Sequence, residues 1–321
     1  MKLHILIFAF LILGACSSAS PPQARDKKLK IVATTGMIAD AAKHVAGDRA
    51  KVSALMGPGV DPHLFKASRS EIVLLTQADI IFYNGLFLEG KLIDALTRIA
   101  ASGKKVFAVT EKIDRQYLLE PPEFAGHYDP HVWMDPPAWA KVVEFIRDRL
   151  ADIAPENAHT FANNAAHYLE QLDQLNRYAE QVLQTVPGEK RIIITAHDAF
   201  NYFGRRYSFR VRGIQGISTE SEAGIQDIEN IVSLIVSAKI PAVFVESTVS
   251  ERNIRALIEG AAARGQEVSI GAQLYSDAMG KPGTYRGTYI GMLDHNITSI
   301  ARALGGTAPE TGMHGKLGEG D

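Results

Sequence analysis

The central stretch of residues 155–186 contains no glycine, and no proline after its first residue. Leu169, Leu172, Leu175, Ala179 and Val182 recur along it at intervals of three and four residues, which is typical of the buried face of an amphipathic helix. At 1.5 Å per residue, one helix over this stretch is about 48 Å long. A helix of that length predicts a stiff connector between two folded units rather than a flexible linker.

Short apolar runs alternate with helical patterns on both sides of this stretch. The runs that predict strands lie at residues 29–34, 52–56, 79–84, 105–109, 191–196, 242–245 and 267–270. The helical patterns lie at residues 36–46, 68–77, 88–101, 225–238 and 251–263. This alternation is typical of parallel sheets covered by helices. The predicted fold class is α/β, with two lobes, each a mainly parallel sheet flanked by helices, joined by one long rigid backbone helix.

The N-terminus predicts secretion and lipidation. A basic Lys2 is followed by an apolar run too short to span a bilayer, as in the apolar region of a secretory signal. Leu13-Gly14-Ala15-Cys16 then resembles a bacterial lipobox, in which the cysteine is lipidated and becomes the new N-terminus. We therefore expect an extracytoplasmic protein, in the periplasm or at the cell surface, that is held at a membrane by lipid on Cys16.

These sequence patterns divide the chain into six predicted segments. They are a signal peptide (1–15), a lipidated flexible tether (16–29), an N-terminal α/β lobe (30–154), a connecting helix (155–186), a C-terminal α/β lobe (187–305) and a Gly-rich flexible tail (306–321). Thirty-four basic and 36 acidic residues leave a net charge of −2, which gives no basic footprint for nucleic acid. The single cysteine excludes an intrachain disulfide framework. We expect a monomer.

Two predicted loops of the first lobe repeat one tripeptide, Asp61-Pro62-His63 and Asp129-Pro130-His131. Proline stiffens the backbone beside each histidine, which suits a preorganised metal ligand, and the aspartate can orient the loop or the ring. A single copy is more typical of a turn with a surface histidine. Two copies in one lobe favour metal binding.

The second lobe offers two further candidate ligands. His197 follows a strongly apolar strand, and ligands of open α/β sheets bind at the carboxyl ends of strands. Asp277 lies in a turn after the last predicted strand. Three imidazoles and one carboxylate form a plausible site for a divalent transition metal. Glu246, at the end of a predicted strand, is either a hydrogen-bond acceptor near this site or a solvated residue. His127 is a weaker, fifth candidate for a metal ligand.

Together these motifs resemble the cluster A-I (cluster 9) metal-binding lipoproteins of bacterial ABC importers, the TroA-like group. The resemblance covers about residues 30–305 and is carried by four stretches: residues 61–63, 127–136, 195–200 and 276–280, with residues 213–220 as a fifth match. It implies that His63, His131, His197 and Asp277 are the metal ligands, that the ion lies between two lobes, and that the partner is a membrane permease. It also implies that the chain captures manganese or zinc, with iron as a further option, for import.

The candidate ligands do not determine which metal ion the site binds. Imidazole suits zinc, whereas manganese prefers more oxygen. Relatives with glutamate at the position of His197 lean towards manganese, and dedicated zinc proteins of the family often carry a His-rich acidic loop, which residues 111–127 lack. Two other functions stay open. The first is a metal-dependent hydrolase, but the sequence contains neither an HExxH nor a GxSxG motif, so we expect no enzyme activity. The second is a surface adhesin lipoprotein.

Overall fold

A computed structural model describes residues 28–318. The predicted signal peptide and Cys16, with nearly all of the tether, lie outside the described residues, as do residues 319–321. Within residues 28–318, no helix is both long enough and apolar enough to cross a membrane.

Residues 28–154, the N-terminal half, form a four-stranded parallel sheet in the order β2-β1-β3-β4. Its strands are β1 (Leu29–Ala33), β2 (Ala50–Ala54), β3 (Ile80–Tyr83) and β4 (Lys105–Ala108). Its helices are α1 (Gly36–Ala46), α2 (Arg69–Gln77), α3 (Ile93–Ala101) and α4 (Pro136–Ile153). Because every strand runs in the same direction, all carboxyl ends meet at one edge of the sheet.

Residues 187–318, the C-terminal half, contain two pairs of parallel strands. The first pair is β5 (Ile192–His197) with β6 (Arg210–Gln215), and the second is β7 (Ala242–Glu246) with β8 (Ser269–Leu274). The helices are α6 (Asn201–Tyr207), α7 (Ile225–Ala238), α8 (Arg252–Ala263) and α9 (Tyr289–Ala303). The predicted α/β class with parallel strands and flanking helices is confirmed.

The central helix, α5, spans 26 residues (Ala158–Leu183) and is preceded by the short 3-10 turn Pro155–Asn157. It is therefore about 39 Å long, shorter than the full stretch predicts, because proline begins the turn and the chain leaves the helix before Pro187. Its apolar face lies in a core that continues into both halves. Tyr168 of α5 donates a hydrogen bond to Asp40 of α1 at 2.8 Å, and Tyr178 meets Thr298 of α9 at 2.8 Å.

Residues 306–318, whose glycine content predicts a flexible tail, make contacts with α9 in the structure. The backbone N–H of Met313 donates to the carboxylate of Asp294 in α9 at 3.0 Å. Leu317 is buried, and its N–H donates to Thr311 O at 2.9 Å. These contacts hold the described part of the tail against α9.

Candidate metal centre

The structure brings the four candidate ligands together. His63, His131, His197 and Asp277 are all buried, and one potential ligand atom from each lies within 4.8 Å of the others. Among residues 28–318 this is the one cluster of histidine, cysteine and acidic side chains that meets this criterion. Two ligands come from each half of the chain, so the cluster lies where the halves meet.

Each of these side chains lies at or beyond the carboxyl end of a parallel strand. His63 lies in the loop after β2, and His131 lies in the long connection between β4 and α4. His197 is the last residue of β5, and Asp277 comes three residues after β8. Parallel strands place their ends at one edge, so residues distant in sequence share one site.

The imidazole nitrogens converge on the Asp277 carboxylate. Its Oδ2 lies 3.2 Å from His197 Nε2 and 3.7 Å from His63 Nε2, and its Oδ1 lies 3.4 Å from His131 Nε2. Both carboxylate oxygens and His197 Nε2 are buried without an aligned hydrogen-bond partner. Buried polar atoms without partners cost free energy. A divalent cation bound among them would satisfy these atoms, so the donor set fits a transition metal.

The aspartates of the two Asp-Pro-His motifs play related but unequal roles. Asp61 Oδ1 accepts from the backbone N–H of His63, and Asp129 Oδ1 accepts from that of His131, both at 2.9 Å. Asp129 Oδ1 also lies 2.7 Å from Nδ1 of the His131 ring. Asp61 therefore fixes its loop, whereas Asp129 fixes both the loop and the ring, which directs Nε2 of His131 towards Asp277.

Glu246 lies beside the site and is buried, not a solvated strand end. Its Oε1 accepts a hydrogen bond from the backbone N–H of His197 at 2.8 Å, and its Oε2 lies 2.6 Å from Nδ1 of the same ring. His131 and His197 thus each have a carboxylate at Nδ1, while their Nε2 atoms face Asp277. Carboxylates behind metal-binding histidines orient the ring and make it a stronger base.

The four side chains differ in protonation. Burial lowers the pKa of His63 to about 3, although the Asp277 charge opposes this. Burial acts in the same direction on His131 and His197, but carboxylates outweigh it: Asp129 and Asp277 raise the pKa of His131 to about 9, and Glu246 and Asp277 raise that of His197 well above its usual value. Burial would raise the pKa of Asp277, but His197 and His131 hold it well below the usual range. The directions of these pKa shifts favour a neutral His63 ring, protonated His131 and His197 rings and an ionised Asp277 in the metal-free site.

The Trp133 side chain packs against the cluster. Trp133 and Phe200 are buried, and the Trp133 ring lies 5.2 Å from the ring of His131. Trp133 Nε1 donates to the carbonyl of Ser276 at 2.8 Å, which holds the turn before Asp277. Both aromatic side chains also belong to the main hydrophobic core.

His127 does not join the cluster. With His63, Phe124 and Glu220 it lines a cavity of about 180 Å³ beside the site, and its ring packs against Phe87 at 4.3 Å. His159 and His167 of α5 are exposed and lie outside the cluster.

The sequence does not predict two contacts that cross between the halves near the site. Thr219 Oγ1 donates to Asp61 Oδ2 at 2.6 Å, and Asn201 Nδ2 donates to Asp129 Oδ2 at 3.2 Å. Thr219 belongs to a stretch that resembles the family, but its position in the sequence does not indicate which residue it contacts. Asn201 comes directly after another matching stretch. Only the folded arrangement places these donors on the two aspartates.

Comparison with known proteins places the chain among metal-binding transport proteins. Residues 31–303 match the family model ZnuA, described as zinc-uptake complex component A, periplasmic. The chain is 44% identical over 299 residues to the manganese-binding lipoprotein MntA of Bacillus subtilis, covering 93% of this chain and 97% of that protein. It is 43% identical over 287 residues to the zinc-binding protein TroA of Treponema pallidum, covering 89% and 92%. The solved structure of the periplasmic zinc-binding protein TroA from Treponema pallidum superposes with a TM-score of 0.84 at 42% identity, covering 87% of this chain and 99% of that one.

Proposed function

This chain belongs to the ZnuA family of periplasmic zinc-uptake components, and we propose that it is the extracytoplasmic solute-binding protein of an ABC importer. It captures a divalent transition metal ion, manganese or zinc, and delivers it to a membrane permease. The ion is the cargo of the protein. The match covers nearly all of the α/β structure, so the proposal concerns the whole fold and not one motif.

One observation carries this proposal: three imidazole nitrogens and one carboxylate, all buried, converge within 4.8 Å at the junction of the two halves. We propose His63, His131, His197 and Asp277 as the ligands. Imidazole and carboxylate together suit divalent first-row metals. Asp277 supplies a negative charge in direct contact with the ion. Asp129 and Glu246 supply two further negative charges, which act on the ion through the rings of His131 and His197.

The choice of ion follows from the donor set and from the relatives. Of the two curated relatives described above, one is named for manganese and the other for zinc. A donor set with three nitrogens favours zinc, and divalent zinc binds more tightly than manganese to a given site. A second oxygen of Asp277 within reach of the ion raises the number of oxygen donors that manganese prefers. We propose that the site accepts both ions and that supply decides which is carried.

The protein acts outside the cytoplasm and is held at a membrane, as the lipoproteins among its relatives are. We propose that lipid on Cys16 is the anchor and that a single copy of the chain serves the permease. Several acyl chains hold a protein firmly at a bilayer, whereas one binds only marginally. Mass spectrometry of the native N-terminus tests this: a diacylated or triacylated Cys16 is expected, and an N-terminus without lipid would contradict it.

A binding protein and an enzyme differ in what their metal needs. A catalytic metal keeps a position open for water. The cluster here offers four protein side chains, which fills a tetrahedral shell. This donor count supports capture rather than hydrolysis. The adhesin alternative rests on lipoprotein character alone, and no contact in the described residues favours it.

Metal titration of the purified protein tests the proposal. Isothermal calorimetry with Zn²⁺ and with Mn²⁺ is expected to give one ion per chain. His197→Ala is expected to abolish tight binding, whereas His159→Ala, on the exposed face of α5, is expected to keep it. Elemental analysis of protein taken from its native envelope then identifies the carried ion. A wild-type chain that binds neither ion would refute the function.

A further inference from the structure

Both aspartates of the Asp-Pro-His motifs divide their two carboxylate oxygens in the same way. In each, Oδ1 accepts from the backbone N–H of the histidine two residues later, at 2.9 Å. In each, Oδ2 accepts from a side chain of the C-terminal half: Thr219 on Asp61 at 2.6 Å, and Asn201 on Asp129 at 3.2 Å. One carboxylate therefore links a histidine of the N-terminal half to a donor of the C-terminal half, and this happens twice.

The two donors lie on segments that also lead to the site. Asn201 begins α6 four residues after His197, which ends β5. Thr219 follows β6, whose last residue, Gln215, pairs with His197 in the sheet. A displacement of the ends of β5 and β6 thus moves a ligand and both donors together.

Other contacts dock α6 onto the N-terminal half beside Asp129. Tyr202 donates to the backbone carbonyl of Asp129 at 2.9 Å, and Arg205 donates to the carbonyl of Tyr117 at 2.7 Å. Arg206 Nε lies 3.4 Å from the buried Asp135. Asp129 is thereby held by α6 through both its backbone and its side chain. Asp61, in contrast, accepts a hydrogen bond from Thr219 of the C-terminal half through its side chain. The Thr219–Asp61 hydrogen bond is therefore simpler to test, because removing it leaves the docking contacts of α6 in place.

From this geometry we propose that Thr219 and Asn201 are positioning residues, which act through Asp61 and Asp129 to hold His63 and His131 in place for the ion. We call the Thr219–Asp61 and Asn201–Asp129 hydrogen bonds the two latches. The proposal rests on the proposed function, because it assumes that the cluster binds metal. When the halves are together, the latches fix the loops of both histidines; when they separate, both loops lose that restraint.

The latches make a kinetic prediction that a structural role alone does not. Hydrogen bonds formed only when the halves are together retard metal release and leave capture nearly unchanged, because affinity differences within one site lie mainly in the dissociation rate. Loss of one such bond is expected to accelerate release about fivefold to tenfold.

The experiment measures Zn²⁺ release from loaded protein by stopped-flow mixing with a chelator. Thr219→Val removes the hydroxyl donor at nearly constant shape and is expected to release Zn²⁺ about fivefold to tenfold faster, with an association rate within about twofold of wild type. Thr219→Ser keeps the donor and is expected to behave like wild type. Asn201→Ala tests the second latch and is expected to accelerate release similarly.

A double-mutant cycle separates a latch from a general loosening. Asp61→Ala removes the carboxylate that accepts from Thr219, and adding Thr219→Val to it is expected to cause little further change in release, because their shared contact is already lost. Fully additive effects, equal effects of Thr219→Val and Thr219→Ser, or an unchanged release rate in Thr219→Val would each overturn the latches while the proposed function stands. A wild-type chain that binds no Zn²⁺ would overturn both.

Discussion

Asp129 Oδ1 lies 2.7 Å from Nδ1 of the His131 ring, and the two side chains are completely buried. The same oxygen accepts the backbone N–H of His131. The carboxylate therefore sets both the position of the ring and the nitrogen that is left to face Asp277. A negative charge at Nδ1 also strengthens Nε2 as a donor to a cation.

Asp129→Asn is expected to weaken metal affinity about 10-fold to 100-fold, because an amide removes the charge and no longer fixes the tautomer. Asp61→Asn is the matched control: the same change is made in the same tripeptide, but Asp61 bonds the backbone of His63 and not its ring. Its loss of affinity is expected to be smaller. Calorimetric titration of both variants with Zn²⁺ checks this, and equal losses would contradict a role for Asp129 at the ring.

Metal binding at pH 7 is expected to release about two protons per ion. His131, with a pKa of about 9, and His197, whose pKa is also raised, are protonated without metal, whereas His63, with a pKa of about 3, is not. Each imidazole must be neutral at the nitrogen that binds the ion. Calorimetry in buffers of different ionisation enthalpy counts the protons, and a count of zero would contradict the protonation state described here.

The same groups set the pH range over which affinity falls. Ordinary imidazoles predict weaker binding below about pH 6. Here the raised pKa values move the beginning of that loss to higher pH, to about 9 for His131, and the proton on His197, whose pKa is also raised, competes with the ion as well. The apparent affinity is expected to decrease by up to about 100-fold per pH unit near pH 7. A flat affinity between pH 8 and pH 6 would contradict a site built on His131 and His197.

The metal-free protein is expected to become less stable as pH rises from about 6.5 to about 9. A histidine with a pKa of about 9 in the folded state and about 6.5 when unfolded contributes stability that is fully present below pH 6.5 and is lost as pH rises through 9. His197 contributes in the same direction. With saturating metal the protons are gone and this loss disappears. Thermal unfolding at several pH values, with Zn²⁺ and with a chelator, measures the contrast; equal slopes in the two states would be the contrary result.

Gly213 is required because β6 passes very close to the end of β5. A Cβ atom at this position would lie 2.4 Å from Asp198 N and 2.5 Å from the carbonyl carbon of His197. These neighbours are backbone atoms next to a proposed ligand, so Gly213→Ala is expected to lower the free energy of unfolding by about 1–3 kcal/mol and to displace His197.

Gly216→Ala is the control for that change, because nothing lies within 4 Å of a Cβ there. Denaturant unfolding and Zn²⁺ titration of the two variants are expected to separate them clearly. If Gly213→Ala retains wild-type stability and affinity, the close packing of β6 on His197 does not matter for the site.

The sequence predicts the strands and helices whose patterns are strong and misses those whose patterns are mixed. Helices α1 and α7 begin and end where the periodicity predicts. Strand β8 extends to Leu274, beyond the predicted residues 267–270, because Gly271 and Gln273 interrupt its apolar pattern. Helix α4 is missed because it begins with Pro136 and Pro137, which favour a loop in sequence but are compatible with the first turn of a helix.

The four candidate ligands are predictable because each belongs to a short motif at a strand end. The residues that position these ligands are harder to predict from the sequence. Glu246 stands out only as an acidic residue at the end of an apolar strand, and Thr219 and Asn201 contact aspartates far away in sequence. Which donor meets which acceptor depends on the packing of the two halves, and local patterns contain no information about that packing.

The Asp277 carboxylate lies within 3.7 Å of an Nε2 atom of each of the three histidines of the cluster. His63 and His131 come from the N-terminal half, and His197 and Asp277 come from the C-terminal half, so an ion bound by all four cross-links the halves. A ligand at 100 times its Kd stabilises a folded protein by about 2.7 kcal/mol. The wild-type chain is expected to show this gain with Zn²⁺, and Asp277→Ala is expected to lose it at the same concentration.

The metal-free Asp277→Ala variant is expected to fold, because the apolar cores that hold the sheets and α5 do not depend on this turn. Without the carboxylate, the pKa values of His131 and His197 fall, since Asp277 is among the groups that raise them. Glu259→Ala removes the same charge from the exposed surface of α8 and is expected to keep the full stabilisation by Zn²⁺. Thermal unfolding with and without Zn²⁺, together with circular dichroism, compares the three proteins. Undiminished stabilisation of Asp277→Ala, with a native spectrum, would remove Asp277 from the site and the cross-link between the halves with it.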